Sequence, residues 1–110
     1  MKNYVQKGEV LTLVAPYAVV SGGGLLVGSI FAVASGDAAN GAPVEGVTCG
    51  VFDLPKTSAQ AWTVGAKVYW DNTNKVATTT VTSNTLIGVA VADAANPSAI
   101  GRVRLNGTFV

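Results

Sequence analysis

The segment Gly50-Val51-Phe52-Asp53-Leu54-Pro55-Lys56-Thr57 comes within one residue of Gly-x-x-x-x-Gly-Lys-[Ser/Thr], the loop whose successive backbone N–H groups cradle a phosphate. Pro55 takes the place of the second glycine. It has no N–H to offer and cannot adopt a positive φ, and no helix obviously follows to lend its dipole. The segment therefore reads as a strand stopped by proline. Asp53, Asp71 and Asp93 would suit a cation site or glycoside hydrolysis if the fold brought them together, but each falls at a turn, where aspartate is ordinary. The chain has no histidine, which removes the usual metal ligand, the usual general base near neutrality and every Ser-His or Cys-His nucleophile. Cys49 is the single cysteine and reads as a small buried hydrophobe in a strand. Phe52, Trp62, Tyr69 and Trp70 could stack on sugars or bases, although aromatics on neighbouring strands more often build a core or a subunit interface. No catalytic residue, cofactor or metal is expected.

Two of these rings lie in the clearest hairpin. Val68, Tyr69 and Trp70 are β-branched or aromatic, Asp71-Asn72-Thr73-Asn74 is a turn, and residues 75–80 resume strand chemistry. Residues 51–54 are strand-like before Pro55, and residues 61–64 restart extension. Earlier, residues 9–15 are β-prone, Pro16 interrupts them, and residues 17–20 continue briefly into the Gly22-Gly23-Gly24 turn. Residues 25–34 make two strands bent at Gly28. Residues 44–54 read as one full strand, with Val47, Cys49 and Val51 on one face and Val44, Thr48 and Phe52 on the other. Both faces are partly apolar, which predicts a central position. Residues 86–92 form a strand stopped by Asp93 to Pro97. Residues 99–105 alternate, with Arg102 and Arg104 on the wet face and Val103 and Leu105 inward. Asn106-Gly107 then turns into Thr108-Phe109-Val110. Only residues 58–61 could hold a helical turn, so the expected fold class is all-β, a sandwich or small barrel of short antiparallel strands with no long helix. Residues 1–8 read as an N-terminal arm or edge strand, and residues 9–110 as a single β domain.

A faint internal repeat supports that picture. Leu26-Val27-Gly28, Ala32-Val33-Ala34 and Asp37-Ala38-Ala39-Asn40 resemble Leu86-Ile87-Gly88, Ala90-Val91-Ala92 and Asp93-Ala94-Ala95-Asn96. Gly50-Val51-Phe52 falls at a similar distance before Gly107-Thr108-Phe109. A duplicated unit would give two similar sheets; convergence of Ala/Gly/Val-rich sequence would give the same letters without the symmetry.

Composition narrows the partners. Charged residues are 12% of the 110, the apolar fraction is 49%, and the formal net charge is +1. That is too apolar for a disordered chain. The cations are scattered along the sequence, so no basic patch could neutralise a run of phosphates, and nucleic acid is not an expected partner. The N-terminus lacks the apolar core of a signal peptide, and the most apolar run, residues 24–34, is far short of a membrane span. No membrane is expected, and synthesis in a cytoplasm is. Weak colloidal repulsion suits a protein much of whose surface is covered by a partner or by its own copies.

Six blocks in order carry a resemblance: Asn3-Tyr4-Val5-Gln6-x-Gly8, Leu26-Val27-Gly28, Gly50-Val51-Phe52-Asp53-Leu54-Pro55-Lys56, Ala61-Trp62-x-Val64-Gly65-x-x-Val68-Tyr69-Trp70-Asp71, Ile87-Gly88-Val89-Ala90 and Val103-Arg104-Leu105-Asn106-Gly107. Over nearly its whole length the chain resembles small tailed-phage and prophage proteins known as capsid cement or head decoration proteins. The resemblance implies a jelly-roll-like β module that sits outside the phage head, associates with itself as a homodimer or homotrimer, and clamps neighbouring copies of the major capsid protein. It would be made in the host bacterial cytoplasm and end on the virion exterior, as a structural protein and not an enzyme. Lys2, Asn3, Tyr4, Val5 and Gln6 are the expected contact with the capsid or a neighbouring copy, because this terminal piece has an aromatic anchor and no place in a hairpin. Phe52, Trp62, Tyr69 and Trp70 are the expected core or interface aromatics. The alternative functions are a virion-surface carbohydrate-binding module resting on Trp62, Tyr69 and Trp70, and a tail or baseplate β module.

Overall fold

Nine short strands organise residues 8–106, the residues described by the computed structural model. They are β1 (Val10–Val14), β2 (Gly24–Val27), β3 (Ile30–Ala34), β4 (Pro43–Val47), β5 (Cys49–Pro55), β6 (Lys67–Asp71), β7 (Val76–Thr78), β8 (Thr85–Ala90) and β9 (Ile100–Asn106). There is no helix among the described residues, and the fold is all-β, consistent with a small β-sandwich. One antiparallel sheet has the order β1-β4-β3-β2 and the other β5-β9-β8-β6-β7. The second curls: Lys56 bridges Ala77, and the Thr57 N–H donates to the Ala77 carbonyl at 3.0 Å, so β7 comes round to the end of β5 as a half-barrel. The arm at residues 2–6 and the Gly107 end of the expected last turn lie outside the described residues.

The alternation in β9 holds position by position: Gly101, Val103 and Leu105 are buried, while Arg102, Arg104 and Asn106 are exposed. The hairpin over β6 and β7 also forms, with Trp70 opposite Ala77, although β7 ends at Thr78, two residues before the expected end. Gly28 opens the β2–β3 turn at φ 59°, where a two-residue hairpin of the II′ kind asks for glycine.

Three expectations are corrected. Residues 44–54 are two strands, and the chain changes sheet at Thr48. β4 is central between β1 and β3, but β5 is an edge. The apolar residues on both faces serve two different layers rather than one doubly covered strand. Thr48 secures the crossing, its backbone N–H donating to the Glu9 carbonyl at 2.8 Å and its hydroxyl to the Gly8 carbonyl at 2.6 Å. Residues 17–20 and 61–64 are not strands; each contributes one bridge, Val19 to Ala38 and Trp62 to Ala94. Residues 58–59 form a turn and not a helical one, because Ser98 donates its N–H to the Ser58 carbonyl and holds this loop to the next.

The repeat is real, in a different register from the one the letters suggest. β5, β9, β8 and β6 occupy the places of β1, β4, β3 and β2, and β7 is added in the second half alone. Val10 faces Val47 and Val14 faces Pro43, as Val51 faces Arg104 and Pro55 faces Ile100. Asp37-Ala38 matches Asp93-Ala94 as the sequence suggests. Val19 and Ala38 exchange two backbone hydrogen bonds of 2.9 Å, and Trp62 and Ala94 do the same at 2.9 and 3.0 Å. Two residues beyond each bridge, Ser21 donates its N–H to Asp37 and Val64 donates its N–H to Asp93. Leu26-Val27-Gly28, however, ends β2, whereas Leu86-Ile87-Gly88 lies in β8, the counterpart of β3.

The halves bury different cores. Leu54, Trp62, Val68, Trp70, Ala77, Ala90, Val103 and Leu105 fill the second sheet, and Phe31 and Val33 reach in from β3. The Phe31 and Trp70 rings lie 4.9 Å apart at 51°. The opposite face of β3 joins Leu25, Val44, Ala15 and Val19 in a smaller aliphatic cluster, so β3 is covered on both sides.

Candidate interaction surface

The four aromatic candidates divide by depth. Trp62 and Trp70 are 2% and 1% exposed and belong to the core of the second half. Phe52 and Tyr69 are half-buried. Each tryptophan N–H is satisfied locally: Trp62 donates to the Gln60 Oε1 at 2.9 Å, and Trp70 to the Asn72 Oδ1 at 3.2 Å. The same Gln60 oxygen accepts from the Thr79 N–H and the Thr78 hydroxyl, tying the 58–62 loop to β7. This residue was not singled out by sequence; a lone glutamine in a loop carries no signal until the fold places a buried indole beside it.

Asp53, Asp71 and Asp93 each have a separate task. Asp53 takes two hydrogen bonds from Arg102, at 2.9 and 3.2 Å, which hold its carboxyl below the usual range. Asp71 accepts from the backbone N–H groups of Thr73 and Asn74 and from the Asn74 side chain, which lowers its pKa as well. Asp93 accepts the Val64 N–H at 3.0 Å, two residues beyond the Trp62–Ala94 bridge. No group of three metal-ligating side chains occurs among the described residues.

Lys56 turns inward from the segment that resembles a phosphate loop. It is 4% exposed, and its Nζ donates to the Thr57 carbonyl at 2.7 Å and the Ser98 carbonyl at 3.3 Å, 5.8 Å from the centre of the Trp62 ring. Burial lowers its pKa from the ordinary 10.5. An ammonium committed to two carbonyls and a ring face is not offered to a phosphate.

Two depressions stand out among the described residues. A polar groove of about 470 Å³ beside the β6–β7 turn is lined by hydroxyls and amides, among them Thr57, Asp71, Asn74, Thr80 and Asn84, and no ring lines it. A smaller apolar cleft of about 190 Å³ lies where the halves meet, between Tyr17, Val20, Gly24, Pro55, Trp70 and Lys75. Tyr17 closes part of it, donating its hydroxyl to the Gly24 carbonyl at 2.7 Å under the Lys75 ammonium, 4.4 Å from the ring centre.

Two sheet faces also carry exposed apolar residues. On β1 and β4, Val14 stands opposite Pro43 and Thr12 opposite Glu45; Val14 is 62% exposed. At the matching places on β5 and β9, Pro55 stands opposite Ile100, Asp53 opposite Arg102 and Val51 opposite Arg104, with Val51 and Ile100 about half exposed. An all-β frame whose polar groups brace its own loops, with sheet faces left open to a neighbour, is the anatomy of a binding or covering protein. The family model for phage cement proteins matches residues 5–105. The chain belongs to the phage cement protein family. That membership supports a structural, cementing role in the phage particle and implies a location on the virion capsid. Neither a curated protein nor a solved structure matches this cement protein. Among the described residues no helix is long and apolar enough to cross a membrane.

Proposed function

We propose that this cement protein binds the outside of the phage head and stabilises contacts between neighbouring major capsid subunits. The family match across residues 5–105 carries the reading. The structure is compatible with it: Lys56, Asp53, Asp71 and Asp93 are occupied in bracing the frame, and two sheet faces with exposed apolar residues stay open. Modest contacts repeated over a closed shell act at high local concentration, so each need not be tight. In this reading Lys2, Asn3, Tyr4, Val5 and Gln6 contribute an arm that lies on the shell or on a neighbouring copy.

The rival reading, a carbohydrate-binding module, needs stacked rings at the surface, and both tryptophans are in the core. The test is co-sedimentation of the purified chain with expanded heads that lack it, followed by heating of decorated and bare heads. Decoration with a raised temperature of genome release is expected. Failure to bind such heads, or binding with no change in release temperature, would sink the proposal.

A further inference from the structure

The two halves share a topology and have parted in charge. From Gly8 to Thr48 the chain carries Glu9, Asp37 and Glu45 and no lysine or arginine. From Cys49 to Asn106 it carries Lys56, Lys67, Lys75, Arg102 and Arg104 against Asp53, Asp71 and Asp93. The separation is sharpest on the matching faces. On the β1–β4 face, the Glu45 carboxylate accepts the Thr12 hydroxyl and meets no cation among the described residues. On the β5–β9 face, Asp53 neutralises Arg102, and Arg104 makes no ion pair among the described residues. Apolar side chains adjoin both: the Val14–Pro43 pair lies next to Glu45 on one face, and Val51 stands directly opposite Arg104 on the other, with the Pro55–Ile100 pair beyond the Asp53–Arg102 ion pair.

We infer that these faces meet between copies: the acidic β1–β4 face of one molecule docks on the basic β5–β9 face of the next, head to tail. Two copies of one ancestral surface with the same charge would repel each other; divergence to opposite signs makes them mutual partners and disfavours like-with-like pairing. Such a contact is heterologous, so it closes into a ring or runs on as a filament according to its rotation. The inference does not depend on the head-binding proposal, because heads can be decorated by single molecules as well as by rings.

Charge reversal tests it on the full chain, by sedimentation velocity at micromolar to millimolar concentration. The wild type is expected to self-associate, more weakly at high salt. Glu45→Arg makes both faces basic and Arg104→Glu makes both acidic, and each variant alone should associate at least about tenfold more weakly. An equimolar mixture of the two should recover, alternating along the assembly, to within about threefold of the wild-type association constant. Glu45→Gln and Arg104→Gln, which introduce no repulsion, should fall between. Circular dichroism confirms that each variant is folded. A wild type that stays monomeric, reversals without effect, or a mixture as weak as its components would overturn the inference. So would reversals that abolish head decoration alone, because the faces would then belong to the shell. A wild type that self-associates but does not bind heads would instead strike the head-binding proposal.

Discussion

Trp70 shows how a single residue holds this frame. Its ring is 1% exposed, tilted against Phe31 of the other half, so truncation removes contacts from both halves at once. Trp70→Ala should cost about 3–5 kcal/mol in urea unfolding; a loss of self-association with an unchanged melting temperature would place the ring at an interface instead. Gly101 is the reciprocal case. A methyl there would enter the Trp62 ring, which is itself buried, so Gly101→Ala should destabilise by about 1–3 kcal/mol although glycine in a strand is otherwise a weak choice. Lys56 brings pH into the fold. Because burial depresses its folded pKa, the unfolded chain binds more protons between that lowered value and 10.5, and stability rises with pH across that window. Tyr17 acts oppositely above 10, where burial keeps the folded phenol protonated after the unfolded one has ionised. Urea midpoints taken on the alkaline side below pH 10 should therefore climb in the wild type and stay flat in Lys56→Met.

At the scale of elements, the crossing from β4 to β5 is the least forgiving point. Gly50 takes φ 116° just after the chain leaves one sheet for the other, a conformation that side chains rarely adopt. Gly50→Val should lower stability by about 1–3 kcal/mol, measured by thermal melting. This crossing also marks where reading the sequence stops. Period-two alternation shows β9 residue by residue, because one face of it is wet and the other dry, and the β6–β7 hairpin was legible from its aromatic and β-branched residues and polar turn, though not where β7 ends. Residues 44–54 keep the same alternation through a change of sheet, and periodicity does not register which layer a face looks into. The duplication was half legible for a related reason. Asp37-Ala38 and Asp93-Ala94 retain their letters because the aspartate accepts a backbone N–H two residues beyond a bridge in both places. The counterpart strands do not: β3 reads Ile-Phe-Ala-Val-Ala and β8 reads Thr-Leu-Ile-Gly-Val-Ala, the first covered on both faces and the second on one sheet with aromatics. The surfaces were the least legible, since the partners of Thr12 and Val51 are set by register across some thirty to fifty residues of chain.

For the molecule as a whole, the arm and the body separate into distinct experiments. Deleting residues 1–7 should leave a folded protein with a cooperative melt that no longer binds heads; undiminished binding would show that the arm is dispensable. The two halves should not separate so cleanly, because Phe31 and Val33 of the first lie in the core of the second, and a single unfolding transition by near-ultraviolet and far-ultraviolet circular dichroism is expected. One asymmetry between the halves has a practical side. Where the first passes from β2 to β3 through Gly28 and Ser29 alone, the second spends residues 72–84 on the same journey and fits β7 into it. The same strand order thus tolerates a far longer connection at this corner, and Gly28 and Ser29 are exposed. A peptide epitope spliced between them should leave the sheets undisturbed, which makes this turn a natural graft point; an unchanged cooperative melt of the insertion variant checks it.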